Sequence, residues 1–191
     1  HIRDITEDRR GKLWVTTRRG LNSFDPATGN FQTYFTDPQA TASLPGNWPK
    51  HITTDAAGLL WMGFNDAAAL ACFDPLSGKS QRFSVRKGQP GQLQGRVVGK
   101  VVADAGRIYL GTTAGFEYYD KVSERFHFLP LLDEREDTVY YRLEALCKGR
   151  DGKIWMNMPG RGLRVYDPNK DSVYVFKPSV VNGGALPTVK G

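Results

Sequence analysis

The sequence predicts an all-β protein made of four similar units, each a small antiparallel sheet of four short strands. A glycine followed three residues later by an aromatic side chain returns four times, and the glycines are 47, 48 and 46 residues apart, at Gly11, Gly58, Gly106 and Gly152. Turn signals rich in Gly, Pro and Asp separate short apolar runs and leave no room for a long helix. Units of this kind, about 40–50 residues long, are typical of β-propeller blades.

The first repeat shows the plan most completely. Alternating apolar and polar residues predict four strands, at 1–5, 13–17, 21–24 and 31–35. The segment 25–29 predicts the last hairpin turn, because Asp25 can bond its own backbone, Pro26 presets φ and Gly29 tolerates positive φ. The same turn signal begins at Asp74-Pro75 and Asp167-Pro168, whereas repeat three has lost the proline.

The other repeats follow the same order. Their predicted strands are 50–53, 59–64, 70–73 and 81–85, then 97–102, 107–112, 116–119 and 125–129, then 142–147, 153–158, 163–166 and 173–176. We expect one partial propeller domain over 1–191, with blades at about 1–47, 48–96, 97–141 and 142–191. A parallel β-helix is the competing architecture, but its coils are shorter and need no polar hairpin turns at this spacing.

The two ends of the sequence predict a segment of a larger ring. The chain does not begin with Met, and Leu186-Pro187 stands where Leu44-Pro45 stands in the first repeat. A closed four-bladed ring is the alternative, although it demands strong twist. The outer blades of a segment expose apolar faces, so we expect packing with further blades or self-association.

Composition excludes several classes of partner. The 191 residues are 40% hydrophobic, and no apolar run approaches the 18 residues of a membrane span, so no membrane contact is expected. The net charge is +6, but the basic residues are scattered and no nucleic-acid-binding motif is present. Cys72 and Cys147 have no metal-ligand spacing and are predicted to be buried free thiols.

The assembled repeat resembles a known family. Repeat one reads Ile5-x-Glu7-Asp8-x-x-Gly11-x-Leu13-Trp14-Val15-x-Thr17-x-x-Gly20-Leu21-x-x-Phe24-Asp25-Pro26-x-Thr28-Gly29-x-Phe31-x-x-Tyr34. This is similar to the two-component regulator propeller repeat of bacterial hybrid sensors, and the resemblance covers all four repeats. Repeat three departs most, with Tyr109 for the tryptophan and Phe116 after Gly115. The resemblance implies a periplasmic sensor segment that dimerises, often with an oligosaccharide ligand, and whose output module lies outside this chain.

Most of the repeated side chains predict structure rather than chemistry. One aromatic residue per blade indicates packing between blades, at Trp14, Trp61, Tyr109 and Trp155. The carboxylates of Asp25, Asp74, Asp120 and Asp167 are each explained by a turn and lie on separate blades, so no metal site is expected. No nucleophile motif or dinucleotide fingerprint occurs, and we predict no catalytic residues and no cofactor.

The positions at which the repeats differ predict the ligand-binding face. The loops after the second and the fourth strand of each blade emerge on one face, and function concentrates on such loops. Trp48 stands outside the repeat pattern in the polar linker 44–49. Its ring can stack on a sugar, or it can instead cap the channel or pack on a neighbouring blade. The predicted ligand-binding residues are Arg18, Arg19, Trp48, Asn65, Asp66, Tyr140, Tyr141 and Arg161.

Two other functions stay open beside a non-catalytic sensor. The segment 51–61 is locally similar to a second propeller class, the streptogramin-lyase type, although no His/Glu catalytic set is present to carry over. A propeller enzyme of lyase or glycosidase type is therefore one alternative. A module that only assembles with other proteins is the other.

Overall fold

The computed structural model describes residues 1–65, 70–86, 88–129, 131, 143, 145–158 and 162–176. Its strands form four antiparallel meanders, which confirms the predicted all-β architecture. Blade 1 contains β1 (Ile2–Glu7), β2 (Leu13–Thr17), β3 (Gly20–Phe24) and β4 (Phe31–Tyr34), and blade 2 contains β5 (Pro49–Thr54), β6 (Leu60–Phe64), β7 (Leu70–Asp74) and β8 (Lys79–Phe83). Blade 3 contains β9 (Val98–Ala103), β10 (Arg107–Thr112), β11 (Phe116–Asp120) and β12 (Arg125–Leu129), and blade 4 contains β13 (Ala145–Lys148), β14 (Ile154–Met158), β15 (Gly162–Asp167) and β16 (Ser172–Phe176). The described residues contain no helix of the length and apolarity that crossing a membrane requires.

The blades follow one another around an axis. The first strands of successive blades are in contact, β1 with β5, β5 with β9 and β9 with β13, so these strands line the inner side of the arc. Each later strand of a blade lies one position further out. This is the radial arrangement that the repeat predicts, because one four-stranded sheet cannot bury both of its faces alone.

Three of the four repeated aromatic residues pack against the next blade, as predicted. The ring of Trp14 lies 5.7 Å from that of Phe73 in blade 2, and Trp61 lies 5.6 Å from Tyr119 in blade 3. Tyr109 continues the series at 6.0 Å from Tyr166 in blade 4. Each contact is tilted or edge-to-face, which is the geometry that aromatic quadrupoles favour.

None of the described residues covers the outer faces of blades 1 and 4. Ile5 is 52% exposed, although its counterparts in the next two blades, Ile52 and Val101, are 3% and 1% exposed. On blade 4, Trp155 stacks on Phe176 of its own blade and lines an apolar groove of about 340 Å³. Both faces therefore present the surfaces that the inner interfaces bury.

Hairpin turns explain the aspartate series and an unusual backbone feature. Asp25 accepts the backbone N–H of Ala27, and Asp74 accepts that of Leu76, as the turn signals predict. The last position of this turn is a left-handed glycine in blades 1 and 2. Blades 3 and 4 place Glu124 and Asp171 in the same left-handed conformation, at φ 54° and 48°.

One prediction about the cysteines is wrong. Cys72 is buried, and burial raises the pKa of its thiol to about 12. Cys147 is exposed because its side chain lies on the side of β13 opposite to the buried Leu146. Both thiols are free, as predicted.

Candidate functional site

The first component of the candidate site is the tight turn between β2 and β3. Thr17 ends β2, and its hydroxyl accepts the backbone N–H of Arg19 at 2.9 Å. Gly20 closes the turn at φ 89°, and a Cβ at this position would collide with the carbonyl oxygen of Tyr34. The Asn22 amide, buried behind the turn, donates to the Gly20 carbonyl oxygen. Arg18 and Arg19 are therefore held exposed on a rigid turn.

The linker between blades 1 and 2 carries Trp48 to this turn. The carbonyl oxygen of Asn47 accepts the backbone N–H of Gly20 at 2.9 Å, and its side-chain oxygen accepts that of Thr36 at 2.8 Å. The two kinds of loop predicted to share a face are thus bonded to each other.

Trp48 lies between arginine side chains. The guanidinium carbon of Arg18 is 5.3 Å from the centre of its ring, and that of Arg3 is 5.9 Å away. These distances fall within the range of cation–π attraction. The Trp48 Nε1–H is buried and has no hydrogen-bond acceptor among the described residues. This differs from the blade-interface tryptophans, whose indole N–H groups donate to aspartates.

Arg3 reaches this position because of a β-bulge. Ile2 pairs with Thr17 and Asp4 with Thr16, so Arg3 is the extra residue of β1. Such bulges redirect a side chain without ending the strand. Blade 2 has the same irregularity at Lys50, between Pro49 and His51. Arg3 is not among the predicted ligand-binding residues, and its alignment with Lys50 across the repeats is the signal in the sequence that points to it.

The interface between blades 2 and 3 contains the equivalent positions with different side chains. Lys50 stands in the place of Arg3, Asn65 in that of Arg18 and Val97 in that of Trp48. These three residues line a cleft of about 120 Å³ together with Thr113. The same backbone framework therefore presents an aromatic ring and two arginines at one interface, and a small open cleft at the next.

The structure separates the predicted ligand-binding residues into three groups. Arg18 and Trp48 are in contact, with Arg19 beside them on the same turn. Asn65 lies at the second interface. The remaining four predicted positions lie outside the described residues, namely Asp66, Tyr140, Tyr141 and Arg161.

Polar side chains also join the inner strands below this face. A carboxylate oxygen of Asp4 accepts the backbone N–H of Ile52 at 3.0 Å, and Nδ1 of His51 accepts that of Val101 at 3.3 Å. The proton of a neutral His51 therefore sits on Nε2, which is 3.5 Å from the Asp4 carboxylate. Burial and the charge of Lys100 lower the pKa of His51, against the opposing effect of Asp4. Both side chains are thus used to connect blades.

A buried glutamate fixes the second linker. Glu117 is fully buried and accepts the backbone N–H groups of Gln94 and Gly95 and the hydroxyl of Thr112. Burial raises the pKa of its carboxyl group, although these three bonds favour the charged form. The side chain serves to hold the linker against blade 3.

At the opposite end of blades 1 and 2, an aspartate in the turn between the first and second strands accepts the indole N–H of the repeated tryptophan. Asp8 accepts Nε1–H of Trp14 at 2.8 Å, and Asp55 accepts that of Trp61 at 2.9 Å. Asp55 also pairs with Lys121 of blade 3 at 2.7 Å. Burial would raise the pKa of Asp55, but the bonds from Lys121 and Trp61 lower it overall.

Among described residues, no group of three or more His, Cys, Asp or Glu side chains has the geometry of a metal site. On the described inner strands, Asp4 and His51 form a titratable pair, and both side chains accept backbone N–H groups. The described chemistry of the loop face is aromatic and cationic, which suits noncovalent binding.

Solved structures with the same fold include extracellular sensor domains and a lyase. The extracellular domain of a protein described as a one-component system of B. thetaiotaomicron is 22% identical, with a TM-score of 0.71 over 94% of this chain and 25% of that one. A hybrid two-component system domain of the same organism is 18% identical, with a TM-score of 0.61 over 95% and 29%. A virginiamycin B lyase of Staphylococcus aureus, in an inactive form with quinupristin, is 17% identical, with a TM-score of 0.65 over 91% and 54%.

These likenesses confirm the propeller fold. They also place extracellular domains of bacterial sensor systems, which the repeat resembles, among the structural relatives of this chain. The chain spans about a quarter of the length of those sensor domains. No protein-family model and no curated protein sequence matches it.

Proposed function

We propose that this chain is a non-catalytic, ligand-binding propeller segment of a periplasmic signalling receptor, with a saccharide as its ligand. The observation that carries the proposal is the cluster of Trp48 with Arg3 and Arg18 on the loop face. An aromatic ring offers a flat apolar surface to a sugar, and arginines beside it donate hydrogen bonds to its oxygens. The sensor domains that share the fold support the signalling role.

The inner strands support a binding role over an enzymatic one. A lyase shares the fold, so an acid–base pair facing the axis would favour catalysis. The pair present, His51 and Asp4, already accepts backbone N–H groups of the neighbouring blades. A general base needs a free lone pair for the substrate proton, and Nδ1 of His51 has its lone pair occupied.

The exposed outer faces of blades 1 and 4 support a mechanism in which the signal passes through contacts with other blades or with a second copy of the chain. Ile5 and Trp155 present apolar surface of the kind that the inner interfaces bury. We propose that further blades or a second copy of the chain cover these faces. Ligand binding at the loop face then acts by shifting rigid blades against the covering partner.

Calorimetric titration of the protein with a panel of neutral and acidic oligosaccharides tests the proposal. We expect at least one saccharide to bind saturably and without turnover, and Trp48→Ala to weaken it by about tenfold, equivalent to about 1.4 kcal/mol. Val97→Ala, at the equivalent position of the next interface, is the matched control and should have little effect. Binding of no saccharide would contradict the proposal, and cleavage of a bound saccharide would favour the enzyme.

A further inference from the structure

The arginines around Trp48 form a cationic cluster that has no counter-charge among the described residues. Arg3 and Arg18 approach the same indole ring, at 5.9 and 5.3 Å from its centre. Neither forms an ion pair with a carboxylate of the described residues, and Arg19 on the same turn forms none either. Bringing like charges together costs free energy, which an anion would offset.

The hydrogen-bonding capacity of the cluster is also unused. A guanidinium group carries five N–H donors in a planar fork that matches the oxygens of carboxylate, sulfate and phosphate groups. Within the described residues, no acceptor pairs with the side-chain donors of Arg3 or Arg18, and the buried Nε1–H of Trp48 is without one too. In the described part of the chain, three sets of donors thus lie at or near the Trp48 ring without an acceptor.

The equivalent interface shows that the cluster is not a requirement of the fold. There Lys50, Asn65 and Val97 occupy the three positions, with one cation and no aromatic ring. The bulge that places Arg3 in blade 1 and Lys50 in blade 2 is nevertheless the same. The cluster is therefore a local specialisation, and its chemistry can be read as binding specificity rather than as blade architecture.

We propose that the Arg3–Trp48–Arg18 cluster binds an oxyanion group, a carboxylate or a sulfate ester, carried on the saccharide ligand. This inference rests on the proposed function and narrows its ligand to acidic sugars. The guanidinium groups bind the anion through charge-assisted hydrogen bonds, and the exposed part of the indole ring lies against the sugar. A neutral sugar would leave the two positive charges uncompensated.

Glucose and two of its acidic derivatives distinguish a carboxylate from a sulfate ester as the bound group, and both from a neutral sugar. Glucuronate carries a carboxylate, glucose 6-sulfate carries a sulfate ester, and glucose is neutral. The indole N–H signal of Trp48, assigned with Trp48→Phe, is followed by NMR during titration with each. We expect saturable shifts with one or both anions and none with glucose at about 10 mM, ten times a millimolar dissociation constant.

Two variants that each remove one arginine charge show whether the anionic sugar binds at the cluster or is attracted by net charge alone. Arg18→Gln should weaken binding of the anionic sugar by at least about tenfold, because it removes charge-assisted hydrogen bonds to the anion. Arg10→Gln removes an exposed arginine from the turn at the other end of β2 and should change binding less than twofold, by the weak screened effect of a distant charge. The Arg10 variant also controls for net charge, and the thermal stability of both variants is checked first.

Each other outcome overturns the inference. Equal shifts with glucose and the anions would reject the oxyanion site while leaving a neutral saccharide site intact. Equal weakening by both variants would mean that only net charge attracts the sugar. No shift with any of the three would reject the inference, and the oligosaccharide panel would then decide the proposed function by itself.

Discussion

Two tryptophans of this chain show how a repeat and a departure from it differ. Trp61 belongs to the repeat, is 3% exposed, donates its indole N–H to Asp55 and packs against Phe83 and Tyr119. Trp48 lies outside the repeat, has no acceptor for its indole N–H among the described residues and faces arginines. The first environment satisfies every polar group and favours stability. The second leaves donors and charge unsatisfied, which favours a ligand.

The interface around Trp61 also shows how the repeat compensates for its own changes. Blades 1, 3 and 4 carry a basic residue two positions before the repeated aromatic, whereas blade 2 has Leu59. Its cation comes instead from Lys121 of blade 3, at the position where the other blades have proline. A proline at 121 would also lose the backbone bond from Lys121 to Gly106.

The largest expected effect comes from breaking this ion pair. Lys121→Met keeps the length of the side chain but leaves the Asp55 carboxylate, 1% exposed, without its cation. We expect a loss of about 2–3 kcal/mol in the free energy of unfolding by urea, below the usual cost for a fully buried pair because Lys121 is partly exposed. The matched variant Lys12→Met removes the cation beside Trp14 and should cost less than about 1 kcal/mol. Equal losses would contradict the proposed difference between the interfaces.

A smaller effect is expected from the histidine that joins the inner strands. Because burial lowers the pKa of His51, the unfolded chain takes up a proton first as the pH falls. The free energy of unfolding should therefore decrease from about pH 6.5 down to the lowered pKa and then level off, by about 1.4 kcal/mol for each unit of lowering. His51→Gln keeps an acceptor for Val101 and a donor for Asp4. Denaturation at several pH values should show a flatter slope for this variant, and an unchanged slope would contradict the assignment.

The smallest expected effect lies in a turn far from Trp48. Glu124 adopts φ 54°, where the equivalent Gly29 and Gly78 adopt 72° and 69°. Glu124→Gly should raise the free energy of unfolding by about 0.5–1 kcal/mol, because removal of left-handed strain exceeds the entropy that glycine gains in the unfolded chain. Thermal unfolding measures the gain, and ligand binding should not change. A destabilised variant would show that the side chain makes a compensating contact.

Periodicity predicted the fold because each blade obeys the same local rules. The turns at Asp25 and Asp74 follow from local residue types, and the packing of Trp14 follows from the return of an aromatic residue at the same position of each blade. The pairing of Asp55 with Lys121 required knowing which side chains meet across an interface, since 66 residues separate them.

The candidate site was predictable only in part. Arg18 and Trp48 stood out because the other repeats have different residues at their positions. Arg3 did not, since its direction depends on a bulge in β1 that leaves no composition signal. Asn65 was predicted together with Arg18 because it occupies the equivalent position in repeat two. In the structure, that position lies at the interface between blades 2 and 3.

The most direct measurement compares Trp48→Phe with Trp61→Phe. Stability is measured by urea unfolding, and binding by titration with glucuronate or glucose 6-sulfate. Trp61→Phe should lower the free energy of unfolding by about 2 kcal/mol, because it removes packed volume and the donor to Asp55, and binding should be retained. Trp48→Phe should change stability by less than about 1 kcal/mol, since it removes a donor without an acceptor, and should weaken binding. Loss of stability with unchanged binding in Trp48→Phe would contradict the division between blade architecture and ligand site.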